Sequence, residues 1–146
     1  MHFFTSVTAC YIPKARVLAK TLKKHNEDAV MHLVISDDLP AGFDVGKEDF
    51  DHVWNIEDII EVENFRKWSF MHDVVELCTA VKGAAAIRII KELELDKLVY
   101  LDPDIGVFDS LAPVSDMLDE NSVLFTPHST AQPRRPGALL TMSCAL

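Results

Sequence analysis

Cysteine is scarce in this chain, and its three residues, Cys10, Cys78 and Cys144, are far apart. The spacing matches no zinc pattern, and an odd number closes no disulfide framework. Reduced thiols of the kind kept in the cytosol are expected. Long apolar runs are missing too. No segment reaches the roughly 20 residues of a membrane span. The first residues carry no charged lead and no long apolar stretch, and Pro13, Lys14 and Arg16 follow early, so a signal peptide is not expected. These absences predict a cytoplasmic protein without a transmembrane segment, at most peripheral to the inner face of a membrane. Positive charge is also short: 14 Lys and Arg stand against 23 Asp and Glu, a formal net charge of -9. That balance argues against a nucleic-acid partner, which selects a basic surface. It also sets a condition. An acidic protein repels a diphosphate unless local cations or a metal offset the repulsion.

What the chain does have is apolar content: 49% of its 146 residues. At this length a single domain can bury roughly two-thirds of its unfolded surface. Residues 3–7 are short, apolar and β-prone, and predict a first strand. Pro13 suits the first position of a helix reaching about His25, with Ala15, Leu18, Ala19 and Leu22 as its buried stripe. Residues 29–36 are nearly continuous in apolar residues, as in a parallel strand covered on both faces. A loop is expected over 39–48, a short strand at 52–54 and a helical stretch over 56–62. Residues 65–95 read as mostly helical, in two pieces meeting near 79–83. A buried strand at 97–101, a small strand at 105–108, a helix at 111–118 capped by Asp109-Ser110, and a strand at 122–126 complete the pattern.

Strands alternating with helices predict an α/β fold: an open, mainly parallel, Rossmann-like sheet flanked by helices. Such sheets bind ligands beyond the C-terminal ends of their strands. Three polar tracts fall at such ends: Thr5-Ser6, Asp37-Asp38 and Asp102-Pro103-Asp104. The domain is expected to cover residues 1–128. Beyond it, no acidic residue follows Glu120, and Pro127, Pro133, Arg134, Arg135, Pro136 and Gly137 break any periodicity. Residues 129–146 are expected to form an irregular tail, with the native chain continuing differently.

Asp102 and Asp104 flank one residue directly after an apolar strand. Pro103 restricts Asp102 to extended geometry and fixes its own φ. Two carboxylates are thus held near one point, and hard oxygen ligands suit Mg²⁺ or Mn²⁺. Waters and substrate phosphates would complete the shell. The plain alternative is an ordinary turn, since Asp and Pro are frequent turn residues.

Residues 97–108, KLVYLDPDIGVF, resemble the D-x-D segment of glycosyltransferases with the GT-A fold. ELCTAVK at 76–82, FTSV at 4–7 and VLFTPH at 123–128 are similar to segments around it. The resemblance implies transfer of a sugar from a nucleotide-diphospho-sugar, with a UDP-sugar favoured, to an acceptor hydroxyl that stays unidentified. It implies that Asp102 and Asp104 hold an Mn²⁺ or Mg²⁺ ion bridging the diphosphate. Thr5 and Ser6 would lie beside the base and ribose, and Tyr11 would stack on the base. Lys82 would approach the diphosphate or sugar, with Thr79 one turn earlier. Arg88 is another candidate cation, and His128 another site residue. No catalytic residue is assigned. The chain departs from the family in its length after Asp104, and in Gly83, where many relatives have proline.

Each residue has a bland alternative: a strand end for Thr5 and Ser6, a half-buried aromatic for Tyr11, an exposed helix face for Thr79 and Lys82. Asp37-Asp38 reads as a cap or turn. His72 and Asp73 are helix neighbours that do not face each other, and read as structural. The other function readings are a catalytically inactive nucleotide-binding fragment and a haloacid-dehalogenase-type phosphatase, whose motif carries Thr where Gly106 stands. A nucleotidyltransferase is disfavoured because residues 7–12 hold no glycine for a phosphate loop.

Overall fold

The computed structural model describes residues 1–126. Its centre is a four-stranded sheet built from β1 (His2–Val7), β2 (Val30–Ile35), β3 (His52–Asn55) and β4 (Leu98–Tyr100). All three pairings are parallel, in the order β3-β2-β1-β4. The register sets His2 beside Val30 and Leu98, and Phe4 beside His32 and Tyr100. The bond from Leu101 N–H to the Phe4 carbonyl, 3.0 Å, carries the β1–β4 pairing one residue further.

Two helical layers cover the sheet. The α1 helix (Ile12–His25) carries Pro13 in its first turn and buries Ile12, Ala15, Leu18, Ala19 and Leu22. That stripe packs on Phe3, Val7, Met31, Leu33 and Ile35. The opposite face belongs to α4 (Val74–Leu93), whose Val81, Ala85 and Ile89 recur every four residues and pack on Phe4, Val34 and Tyr100. Two short helices, α2 (Ile56–Ile59) and α3 (Phe65–Phe70), lead into α4, and α5 (Ala112–Glu120) follows β4. Lys97 Nζ ties β4 to α5 through the Ser115 carbonyl at 3.0 Å and Asp119 Oδ1 at 2.6 Å.

The expected parallel α/β architecture is present, with four local differences. Residues 65–95 do divide, but at residues 71–73 rather than near 79–83. Asp73 and Glu76 form a reciprocal capping box that starts α4, and the helix then runs unbroken through Gly83. A single helical glycine costs about 1 kcal/mol against alanine, too little to end a well-packed helix. Residues 105–108 form no strand. The Val107 N–H donates to Thr21 Oγ1 of α1 at 3.1 Å, so the segment docks on a helix rather than on a ladder. The helix expected at 111–118 is α5, shifted one to two residues along the chain. Its N-cap, Leu111, makes no side-chain cap bond, and Ser110 Oγ instead accepts from Ala112 N–H at 3.2 Å. Residues 122–126 are not a strand, and Val123 and Phe125 are exposed. The expected domain end at residue 128, His128 and the tail lie outside the described residues.

Candidate functional site

The strand order decides where a ligand fits. From β1 the chain moves outward through β2 to β3. It then returns across the α4 face to place β4 on the other side of β1. The strand order therefore reverses between β1 and β4, and open α/β sheets bind ligands beyond the C-terminal strand ends at such a point. A cleft of about 190 Å³ lies there, lined by Ser6, Val7, Thr8 and Tyr11 after β1, by Tyr100, Asp102 and Pro103 after β4, and by the first turns of α4. Closed pockets for small ligands begin at roughly 300 Å³. This cleft is smaller than that.

Five of the sequence-derived candidates meet at this cleft: Ser6, Tyr11, Thr79, Lys82 and Asp102. Thr5 does not. Strand residues alternate in direction, and Thr5 shares the parity of Phe3 and Val7, which pack under α1. Its hydroxyl is buried without a hydrogen-bond partner. Ser6 points the other way and lines the cleft. Its Oγ is also buried and unpaired, an arrangement that ordinarily costs about 1–3 kcal/mol. Tyr11 is 42% exposed, with Lys14 Nζ 4.4 Å from its ring centroid. The Thr79 hydroxyl donates back to the Val75 carbonyl at 2.8 Å.

Asp102-Pro103-Asp104 is a β-turn closed by Ile105 N–H on the Asp102 carbonyl, 3.3 Å. Proline at its second position is the favoured choice. The turn leaves both carboxylates exposed at the end of β4, with Asp104 beyond the cleft lining. Asp102 is drawn inward by two neighbours. The Tyr100 hydroxyl donates to Asp102 Oδ1 at 2.9 Å, and Lys82 Nζ stands 3.5 Å from the same oxygen. The Lys82 ammonium lies 4.1 Å from the Tyr100 ring centroid, within cation–π range. Burial, reinforced by the Asp102 charge, pushes the Tyr100 phenol far above its ordinary range, so the hydroxyl stays protonated as a donor. Burial likewise raises the Cys78 thiol, which donates to Ser36 Oγ at 3.6 Å.

Tyr100, Cys78, Val74 and Val75 were not singled out from sequence, yet they line the cleft. A signal existed for each. Tyr100 is two strand positions before Asp102, hence on the same face, and residues 74, 75, 78, 79 and 82 form one helical stripe.

Other candidates lie elsewhere. Arg88 pairs with Glu92 at 2.7 Å and lines a separate hollow of about 330 Å³ at the β3 edge, with His52, Trp54 and Asp58. Asp37 Oδ1 accepts from Ala9 N–H at 2.7 Å, fixing the loop after β1. Asp73 caps α4, and His72 Nδ1 bonds the Trp68 carbonyl at 2.9 Å. Among the described residues, no cluster of three His, Cys, Asp or Glu side chains could hold a metal by itself.

No family model matches the chain, and no curated protein matches it in sequence. Among solved structures it is similar to an active-site mutant of LgtC, a glycosyltransferase, at a TM-score of 0.50 and 20% identity. The likeness covers 80% of this chain and 42% of LgtC. The fold is GT-A-like. At this identity the likeness speaks of architecture alone, and the chain spans less than half the length of LgtC. No described helix is long and apolar enough to cross a membrane.

Proposed function

We propose that this chain is the donor-binding part of a glycosyltransferase, taking a nucleotide-diphospho-sugar in the cleft between β1 and β4. The observation that carries the reading is convergence. Residues from three separate segments, Ser6 and Tyr11, Thr79 and Lys82, and Asp102, line one cleft at the switch point of the sheet. Beside that cleft, a turn presents two exposed carboxylates.

The donor set suits a shared metal rather than a self-sufficient centre. Asp102 and Asp104 would hold Mn²⁺ or Mg²⁺, and phosphate oxygens with waters would complete the shell. When bound, that ion supplies positive charge against the leaving diphosphate. Lys82 adds a second positive charge from α4, which a chain with a net charge of -9 needs at this point. The Ser6 hydroxyl is buried without a partner beside the cleft, and a rotamer change would bring it to a polar group of the nucleotide. Tyr11 offers an aromatic face at the outer wall. Tyr100 holds Asp102 in place through its hydroxyl. The acceptor and the sugar are not specified by these residues.

Isothermal titration with UDP tests the reading. Binding is expected in the presence of Mn²⁺ and its loss on chelation with EDTA. A UDP-sugar hydrolysis assay on the same protein separates an enzyme from a module that binds without turnover. UDP binding that ignores Mn²⁺ would refute the metal-linked site.

A further inference from the structure

Lys82 and a metal ion would need the same carboxylate. Lys82 Nζ stands 3.5 Å from Asp102 Oδ1, and the lysine side chain is 17% exposed against 49% for Asp102. The ammonium is therefore held on its inner side, above the Tyr100 ring at 4.1 Å, while the carboxylate faces outward. Asp102 Oδ1 already meets two partners, Lys82 and the Tyr100 hydroxyl. A divalent cation brought to Asp102 would meet a fixed positive charge at close range, on a partly buried side where water screens it poorly. With so little of the Lys82 side chain exposed, its stem is packed and its far end is the part left to move.

We infer that Lys82 competes with the divalent cation for Asp102, and that a nucleoside diphosphate relieves the competition by taking over the Lys82 ammonium. The inference rests on the donor-site reading above and adds a rule of order to it. The lysine serves as counter-charge of the carboxylate until a diphosphate arrives. It then turns to the diphosphate, and Asp102 is released to the metal. Metal and diphosphate thereby favour each other's binding, beyond their direct contact, and the effect is reciprocal by linkage. Premature loading of the site with metal alone is opposed.

The test is titration of Mn²⁺ alone, then of Mn²⁺ with saturating UDP, on the wild-type chain and on Lys82→Met. Methionine keeps an unbranched apolar stem over Tyr100 and removes the charge, and Lys82→Gln is the second variant should Lys82→Met misfold by circular dichroism. The wild-type chain should bind Mn²⁺ weakly alone and more tightly with UDP. Lys82→Met should bind Mn²⁺ alone more tightly, on the order of tenfold, and the enhancement by UDP should shrink. Arg88→Met on the same helix, remote from the cleft, should leave both values unchanged, which separates a local exchange from a general charge effect. Binding of Mn²⁺ alone that is unchanged or weaker in the Lys82 variants overturns the inference and leaves the site standing. A wild-type chain that binds no Mn²⁺ even with UDP overturns the donor-site reading and the inference together.

Discussion

Three imidazoles, His2, His32 and His52, cross the sheet on neighbouring strands, with centroids 5.2 Å and 4.7 Å apart. The middle one, His32, is fully buried. The Trp54 indole N–H donates to its Nδ1 at 3.1 Å, so the ring proton resides on Nε2 and is given to His2 Nδ1 at 2.9 Å. Both rings are thereby held neutral. Burial, then the neighbouring His52 and His2, lowers His32 to about 3, and burial followed by the N-terminal ammonium and His52 lowers His2. Asp51 acts the other way on both. Folded values below the ordinary 6.5 mean that the unfolded chain takes up protons first as pH falls. Stability is then present above about pH 6.5 and drains away toward about pH 3. Urea unfolding at pH 7.5 and pH 4.5 should differ by about 3 kcal/mol from His32, with the lower value at acid pH. The same residue scale shows what the sequence conceals. Ser6 and Thr5 look alike in sequence, and both hydroxyls are buried, yet strand alternation puts Ser6 on the cleft side of the sheet and Thr5 on the α1 side. The place of Tyr100 on the same face as Asp102 was legible from strand spacing, but its contact with Lys82 was not, because Lys82 arrives from another element.

At the scale of elements, α4 carries one wall of the cleft, and its start fixes where Thr79 and Lys82 stand. Asp73 accepts from Glu76 N–H at 2.8 Å, and Glu76 returns a bond to Asp73 N–H at 3.1 Å. Asp73→Ala should cost about 1 kcal/mol in thermal or urea unfolding. Gly83 lies in the helix interior, where an added Cβ meets nothing within 4 Å. Gly83→Ala should therefore stabilise by up to about 1 kcal/mol, read as a higher melting temperature. The strands and α1 were legible because each has an apolar pattern of its own period. The break before α4 was not, since Gly83 is a more visible interruption than a capping box. The segment after Asp104 misled for a related reason: 105–108 is apolar enough for a strand, but Thr21 of α1 takes the backbone donor that a ladder would need.

For the whole molecule, the sheet order β3-β2-β1-β4 is what makes a site out of scattered residues. Alternation of strands and helices predicted a parallel sheet with ligands at the strand ends. The return of β4 to the far side of β1 fixes which ends matter, and no local pattern encodes that return. Because a ligand that binds only the folded chain stabilises it by mass action, UDP with Mn²⁺ at about 100 times its Kd should add about 2.7 kcal/mol, and EDTA should abolish the rise in melting temperature. The central claim is that Asp102 and Asp104 join a metal to a nucleoside diphosphate at this cleft. Titration of UDP in the presence of Mn²⁺ on wild type, Asp102→Ala and Asp104→Ala tests it most directly. Binding should be measurable in wild type and weakened at least about tenfold, a loss of about 1.4 kcal/mol, in each variant. Mn²⁺-dependent UDP binding of undiminished strength in both variants would contradict it.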